Sequence, residues 1–102
     1  MRMVGLDMNQ MKSEKETYDF FKRELHFPDT FEGSMDELYA ELLALDENVC
    51  LELVRPEAGS LLAEFEKEME GVMERAAQTV EFSEDRMYAV FADFEYIQKT
   101  SW

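Results

Sequence analysis

Three short apolar runs, separated by stretches of helical periodicity, constrain this chain more than any other feature. Residues 2–7 of "MRMVGLDM" alternate loosely and predict a first strand. "VCLELV", residues 49–54, is apolar except for Glu52 and predicts a buried strand. "MYAVFADF", from Met87, predicts a third strand with an aromatic-rich end. The segments between strands are helical, and a connection that passes through a helix implies a crossover between parallel strands. Right-handed crossovers set those helices against the sheet. The expected fold is α/β: a small three-stranded parallel sheet packed with helices, in the order β-α-α-β-α-β.

The helix boundaries follow from local signals. Ser13 and Glu16 form an S-x-x-E capping box, followed by Tyr18, Phe21 and Leu25 at helical spacing, with Phe20 widening the stripe. Pro28 is expected to end this helix, since the residue before a proline avoids helical geometry. Ser34 and Glu37 repeat the box, and Met35, Leu38, Leu42 and Leu45 supply the next apolar stripe up to "DEN" at 46–48. Pro56 suits the first turn of a third helix. Leu61, Leu62, Phe65, Met69, Val72, Met73 and Ala76 then mark one long amphipathic helix, which either Gly59 or Gly71 can divide. At 102 residues, one domain with one core is expected, with residues 93–102 as a loosely packed tail. Tyr96, Ile97 and Trp102 suit that tail either to packing back or to contacting a partner.

Charge bounds the function. The formal net charge is −14, which repels nucleic acid and acidic membranes and favours basic partners. The chain is 46% hydrophobic, too apolar for a disordered acidic tail. A single cysteine, Cys50, allows no internal disulfide and fits a reducing compartment. The first ten residues hold no long apolar run, so neither a signal peptide nor a membrane span is expected, and a cytoplasmic location is the default. No Lys or Arg occurs between Arg23 and Arg55, while Glu24, Asp29, Glu32, Asp36, Glu37, Glu41, Asp46, Glu47 and Glu52 fall in that gap. Carboxylates without interspersed bases produce a directional field.

Catalytic chemistry has little to stand on. The one histidine, His26, falls at a helix end, where it interacts with the dipole or caps the last carbonyls. Cys50 sits in an apolar strand and behaves as a small hydrophobe. The glycines at 5, 33, 59 and 71 form no phosphate loop, and no calcium-loop pattern is present. Asp36 and Glu37 are adjacent and diverge around a helix, so they form no carboxylate dyad. Met35, Met69 and Met73 fall on apolar faces and read as core. The expectation is a non-enzyme without cofactor or metal.

The first half of the chain combines "FFKREL", the pair "FP", a loop with an aromatic and a glycine, a helix with Asp36 followed by Leu38 and an aromatic, and "VCLELV" at the expected distance. In this combination it resembles the barstar family of intracellular ribonuclease inhibitors. The resemblance implies an inhibitor that presents an acidic helix and the preceding loop to the basic cleft of a secreted or toxin-type ribonuclease. Asp36 matches the first acidic contact of that helix, and Tyr39 stands where the family has tryptophan. Ala40 replaces the family's central aspartate, Thr30 a loop tyrosine and Ser34 an asparagine, while Glu32 occupies the loop-glycine position, one before Gly33. The acid supplied by the last helix is Glu70 or Glu74. The partner-binding set implied is Thr30, Glu32, Asp36, Tyr39, Ala40, Leu43 and Glu74.

Each of these residues also has a plain structural role. Asp36 favours the helix dipole, Glu37 completes a capping box, Tyr39 can edge the core beside Leu42, and Glu41 is a solvated side chain. Ala40 and the apolar helix end, Leu43 to Leu45, favour an alternative: an acidic α/β interaction module that binds a basic partner other than a nuclease.

Overall fold

A computed structural model of the chain describes residues 2–80 and 87–92; the predicted tail at 93–102 lies outside them, and so does the extent of the domain through it. The strands are β1 (Arg2–Asp7), β2 (Val49–Val54) and β3 (Met87–Ala92). The helices are α1 (Glu14–Glu24), α2 (Met35–Leu43) and α3 (Ala63–Val80), with a short 3-10 turn at Met8–Gln10. β1 pairs with β2 and β2 with β3, all parallel, in the order β1-β2-β3. The protein is a small α/β domain with a three-stranded parallel sheet.

The strand order determines where the core lies. Strands that follow one another across the sheet without reversal, joined by crossovers of one hand, place every crossover helix on the same face. Burial follows that rule. Val4 and Leu6, Val49, Leu51 and Leu53, and Met87 are buried on the helical side. Their alternates Met3, Glu52, Tyr88 and Val90 are exposed. The expectation of a buried central strand therefore holds for one face of β2 only, and Glu52 is not an interruption of a core but the polar residue of an open face. Cys50, between Met3 and Tyr88 in the register, is still buried on that face. Burial pushes its thiol up, and the Glu52 carboxylate adds to the effect, so the group stays protonated and inert.

α1 starts at its predicted capping box, with the Glu16 N–H donating to Ser13 Oγ at 3.1 Å. It ends at Glu24, well before Pro28. His26 turns left-handed, with φ 57°, and the Phe27 N–H donates back to the Lys22 carbonyl at 3.0 Å. This is a Schellman ending, with buried Phe27 closing onto the buried end of the helix. His26 thus stops the helix through its backbone, while its side chain is exposed. Pro28 is not the terminator; it lies in the following turn, where its carbonyl accepts from the Phe31 N–H at 3.0 Å.

α3 begins at Ala63, so Pro56 and Gly59 lie in the preceding loop and Gly71 falls inside an unbroken helix. Gly59 adopts φ 86°, which a helix cannot accommodate. Leu62 turns inward, but Leu61 is fully exposed and does not belong to the apolar stripe. Phe65, Met69, Val72, Met73 and Ala76 are buried as their spacing predicts.

Two glycines should respond oppositely to alanine. A Cβ on Gly71 meets nothing within 4 Å, so Gly71→Ala should stabilise the domain by about 0.5–1 kcal/mol. Gly33 has φ 98°, and a Cβ there would lie 3.1 Å from the Tyr18 ring. Gly33→Ala should destabilise by about 1–3 kcal/mol. Urea midpoints of the two variants that move in the same direction would contradict these assignments.

Candidate functional site

The stretch from α1 to α2 is shaped by aromatic anchors. Phe31 packs against Phe27 at 4.9 Å and edge-on to Tyr18 at 6.1 Å between ring centroids. Tyr18 in turn meets Phe65 of α3 edge-on at 5.4 Å. Phe31 is buried, which leaves its neighbours Thr30 and Glu32 exposed on either side. Gly33 lies against Tyr18 where no side chain fits, and this draws the chain close before α2 begins.

α2 opens at Ser34, whose Oγ accepts from the Glu37 N–H at 3.1 Å and donates to Glu37 Oε1 at 3.1 Å. Glu37 Oε2 accepts from the Glu32 backbone N–H at 3.0 Å. Glu37 is thus a structural residue that fastens the loop to the helix. Asp36, beside it in the first turn, points to solvent and makes no hydrogen bond among the described residues. Its carboxylate sits at the positive end of the helix dipole.

The outer surfaces of α2 and α3 enclose an open groove of about 490 Å³, lined by Met35, Glu68, Gly71, Val72, Glu74, Arg75 and Gln78. Gly71 widens it because it adds no side chain. Tyr39 of α2 meets α3 beside it. Its hydroxyl lies 3.2 Å from Thr79 Oγ1, and the Arg75 guanidinium stands 5.1 Å from its ring centroid. One face of the tyrosine predicted to offer a flat contact surface is therefore already covered by a base.

The two last-helix acids have different situations. Glu70 accepts from Arg55 Nε at 2.8 Å and from Nη2 at 2.9 Å, a forked pair that ties α3 to the end of β2. Arg55 holds the Glu70 carboxyl below the usual carboxylate range, helped by a hydrogen bond from Glu66. Glu74 is exposed and lines the groove.

The acids between Arg23 and Arg55 do not form one patch. Arg2 donates to Glu47 Oε1 at 3.0 Å and to the Glu24 carbonyl, which places a counter-charge between Glu24 and Glu47. Glu52 faces the open side of the sheet. Asp29, Glu32, Asp36 and Glu37 remain at the loop and helix start, and α3 adds Glu68 and Glu74. Burial pushes the Tyr18 phenol up, and the carboxylates of Glu14, Glu68 and Glu37 push it further.

Of the residues expected to bind, Thr30, Glu32, Asp36, Ala40 and Glu74 are exposed, while Tyr39 and Leu43 are half-buried against the core. The structure brings Met35 and Glu74 to one groove and puts Arg75 over Tyr39. Glu68, Gly71 and Arg75 were not expected at the site; all three come from α3. Among the described residues, no three His, Cys, Asp or Glu side chains are arranged to hold a metal ion. No described helix is long and apolar enough to cross a membrane. No protein-family model and no curated protein matches this chain.

The Arg55–Glu70 pair gives a pH signature. A carboxyl whose folded-state pKa is lowered stabilises the fold fully above its unfolded value, and that contribution is lost as pH falls through the folded one. Arg55→Ala should therefore cost most near neutrality, about 1–3 kcal/mol, and progressively less below the ordinary glutamate range of about 4. Unfolding free energies of both proteins across that range test this; a cost that is flat with pH would refute it.

Proposed function

We propose that the loop at 30–34, the outer face of α2 and the facing side of α3 form a docking surface for a basic protein, and that this protein is a ribonuclease blocked at its active site. The observation that carries the reading is the solvent-open set of carboxylates on three segments: Glu68 and Glu74 of α3 in the groove, Asp36 of α2 next in sequence to the lining residue Met35, and Glu32 in the loop before it. A ribonuclease cleft is basic because it binds phosphates. Carboxylates held on rigid helices can take those positions, exclude RNA and speed encounter through their field. The resemblance to the barstar family supports the same reading. It is carried by "FFKREL", the pair "FP", the helix with Asp36 and "VCLELV" in the first half of the chain.

A second reading has its own support. Ala40 offers no charge at the centre of the α2 face, Leu43 adds an apolar contact, and Arg75 covers Tyr39. These features suit a basic partner whose contact is partly apolar and which is not a nuclease.

Inhibition of barnase-type ribonucleases, measured against salt, separates the two readings. Under the first, Asp36→Asn combined with Glu32→Gln should weaken inhibition by roughly tenfold or more, mainly through slower association, and the difference should shrink at high salt. Arg75→Ala should act in the opposite direction, since it removes the one base among the described residues that line the groove and bares the Tyr39 ring. Absence of inhibition of any such enzyme, with salt-sensitive binding to a basic protein of another kind, would replace the first reading with the second.

A further inference from the structure

Two hydroxyl groups link the middle of α2 to the last turn of α3, and their surroundings fix which of them donates. Thr79 Oγ1 lies 2.8 Å from the Arg75 carbonyl and 3.2 Å from Tyr39 Oη. A carbonyl only accepts, so the threonine proton is committed to Arg75, one turn back along α3. A hydroxyl carries a single proton. The bond to Tyr39 therefore runs the other way: the tyrosine donates and Thr79 accepts. Among the described residues Tyr39 Oη has no further hydrogen-bond partner, so only its lone pairs are left to offer.

We propose that Tyr39 Oη is a fixed acceptor on the docking surface and receives a cationic donor, an ammonium or guanidinium group of the basic partner. Thr79 is the positioning residue that draws the tyrosine proton away from that partner. The assignment rests on the reading of this surface as a docking site for a basic protein, and it adds an uncharged atom to the carboxylates as a point of recognition.

Three observations support it. The Tyr39 ring is half-buried against the core, which holds the oxygen in place. Bonds in a chain polarise one another, so an oxygen that donates to Thr79 is a better acceptor for a third group. Arg75 does not take the role itself. Its guanidinium stands over the ring, 5.1 Å from the centroid, and among the described residues it makes no hydrogen bond to Oη. Charge then selects the kind of donor. Asp36, exposed and three residues before Tyr39, lies on the same side of α2, and exposed Glu74 adjoins Arg75 and offsets it. On a chain of net charge −14, a cationic donor is favoured over a neutral one.

The Cζ carbon resonance of Tyr39 reads both steps. In the free chain Thr79→Val should move it, and Thr79→Ser should leave it in place, because serine can accept and donate as threonine does. Thr79 is exposed, and far-UV circular dichroism checks that both variants keep the fold. At equal ionic strength, methylguanidinium should shift the resonance several-fold more than tetramethylammonium, which has the same charge and no donor. Thr79→Val should reduce the methylguanidinium shift by roughly half or more, and Thr79→Ser should preserve it. Equal shifts from the two cations would overturn the proposal, and so would a methylguanidinium shift indifferent to Thr79→Val. Either result, beside inhibition that still depends on Asp36 and Glu32, removes Tyr39 as an acceptor and keeps the docking surface. The expected shifts without inhibition of any ribonuclease keep the acceptor and assign it to a basic partner of another kind.

Discussion

The parallel pairing of β2 between β1 and β3 is the constraint from which the rest of the structure follows. With the strands laid down in sequence order, both crossovers return over the same side of the sheet. All three helices compete for one face, and they must share it in a single layer. α1 and α3 meet at Tyr18 and Phe65, and α2 packs beside α3 through Leu38, Leu42 and Met35. A helix in a layer one deep always has an outer surface. In α2 and α3 that surface carries the carboxylates.

The groove runs along the outer surface of α3 beside the start of α2. Met35 and Val72 form part of its lining, and Gly71 leaves room where most residues would fill it. The loop into α2 is held less by its own hydrogen bonds than by Phe31, buried between Phe27 and Tyr18. Glu37 then spends both carboxylate oxygens on the loop and its cap. Among the described residues the Asp36 and Glu32 side chains have no hydrogen-bond partner, and they stand exposed on a framework fastened by others. A division of labour between adjacent acids, one fastening and one free, is what a rigid anionic surface requires.

Much of the fold was legible in the sequence because its signals are local. Capping boxes at Ser13 and Ser34 and the apolar spacing of α3 act within a few residues, and the elements begin and pack accordingly. The errors arose where the chain had two ways to stop. Pro28 and Pro56 are strong breakers, but α1 had already ended through the left-handed His26, and α3 begins only after Gly59 has turned the chain. The one-sided sheet was not visible in "VCLELV", because Cys50 is apolar whichever way it points, and only Glu52 distinguished the faces. The site was half legible. Asp36, Glu32 and Thr30 follow from α2 and its loop, but the charge gap in the sequence is not a charge gap in space. Arg2 comes from one end to meet Glu24 and Glu47, and Arg75 comes from α3 to cover Tyr39. Tertiary proximity of that kind leaves no periodic trace.

The register of β1 has a consequence for how the protein is made. Every residue of β1 finds its sheet partner in β2, from Arg2 opposite Val49 to Asp7 opposite Val54, almost half the chain away. On a ribosome β1 has no partner in β2 until both α1 and α2 have emerged. α1 and α2 can form early from their own caps, but β1 must wait as an unsatisfied edge, and pairing of that range is slow. Met3, Val4 and Leu6 are the apolar residues of β1 left open during that interval, so its vulnerability to wrong association is greatest before the sheet has any second strand.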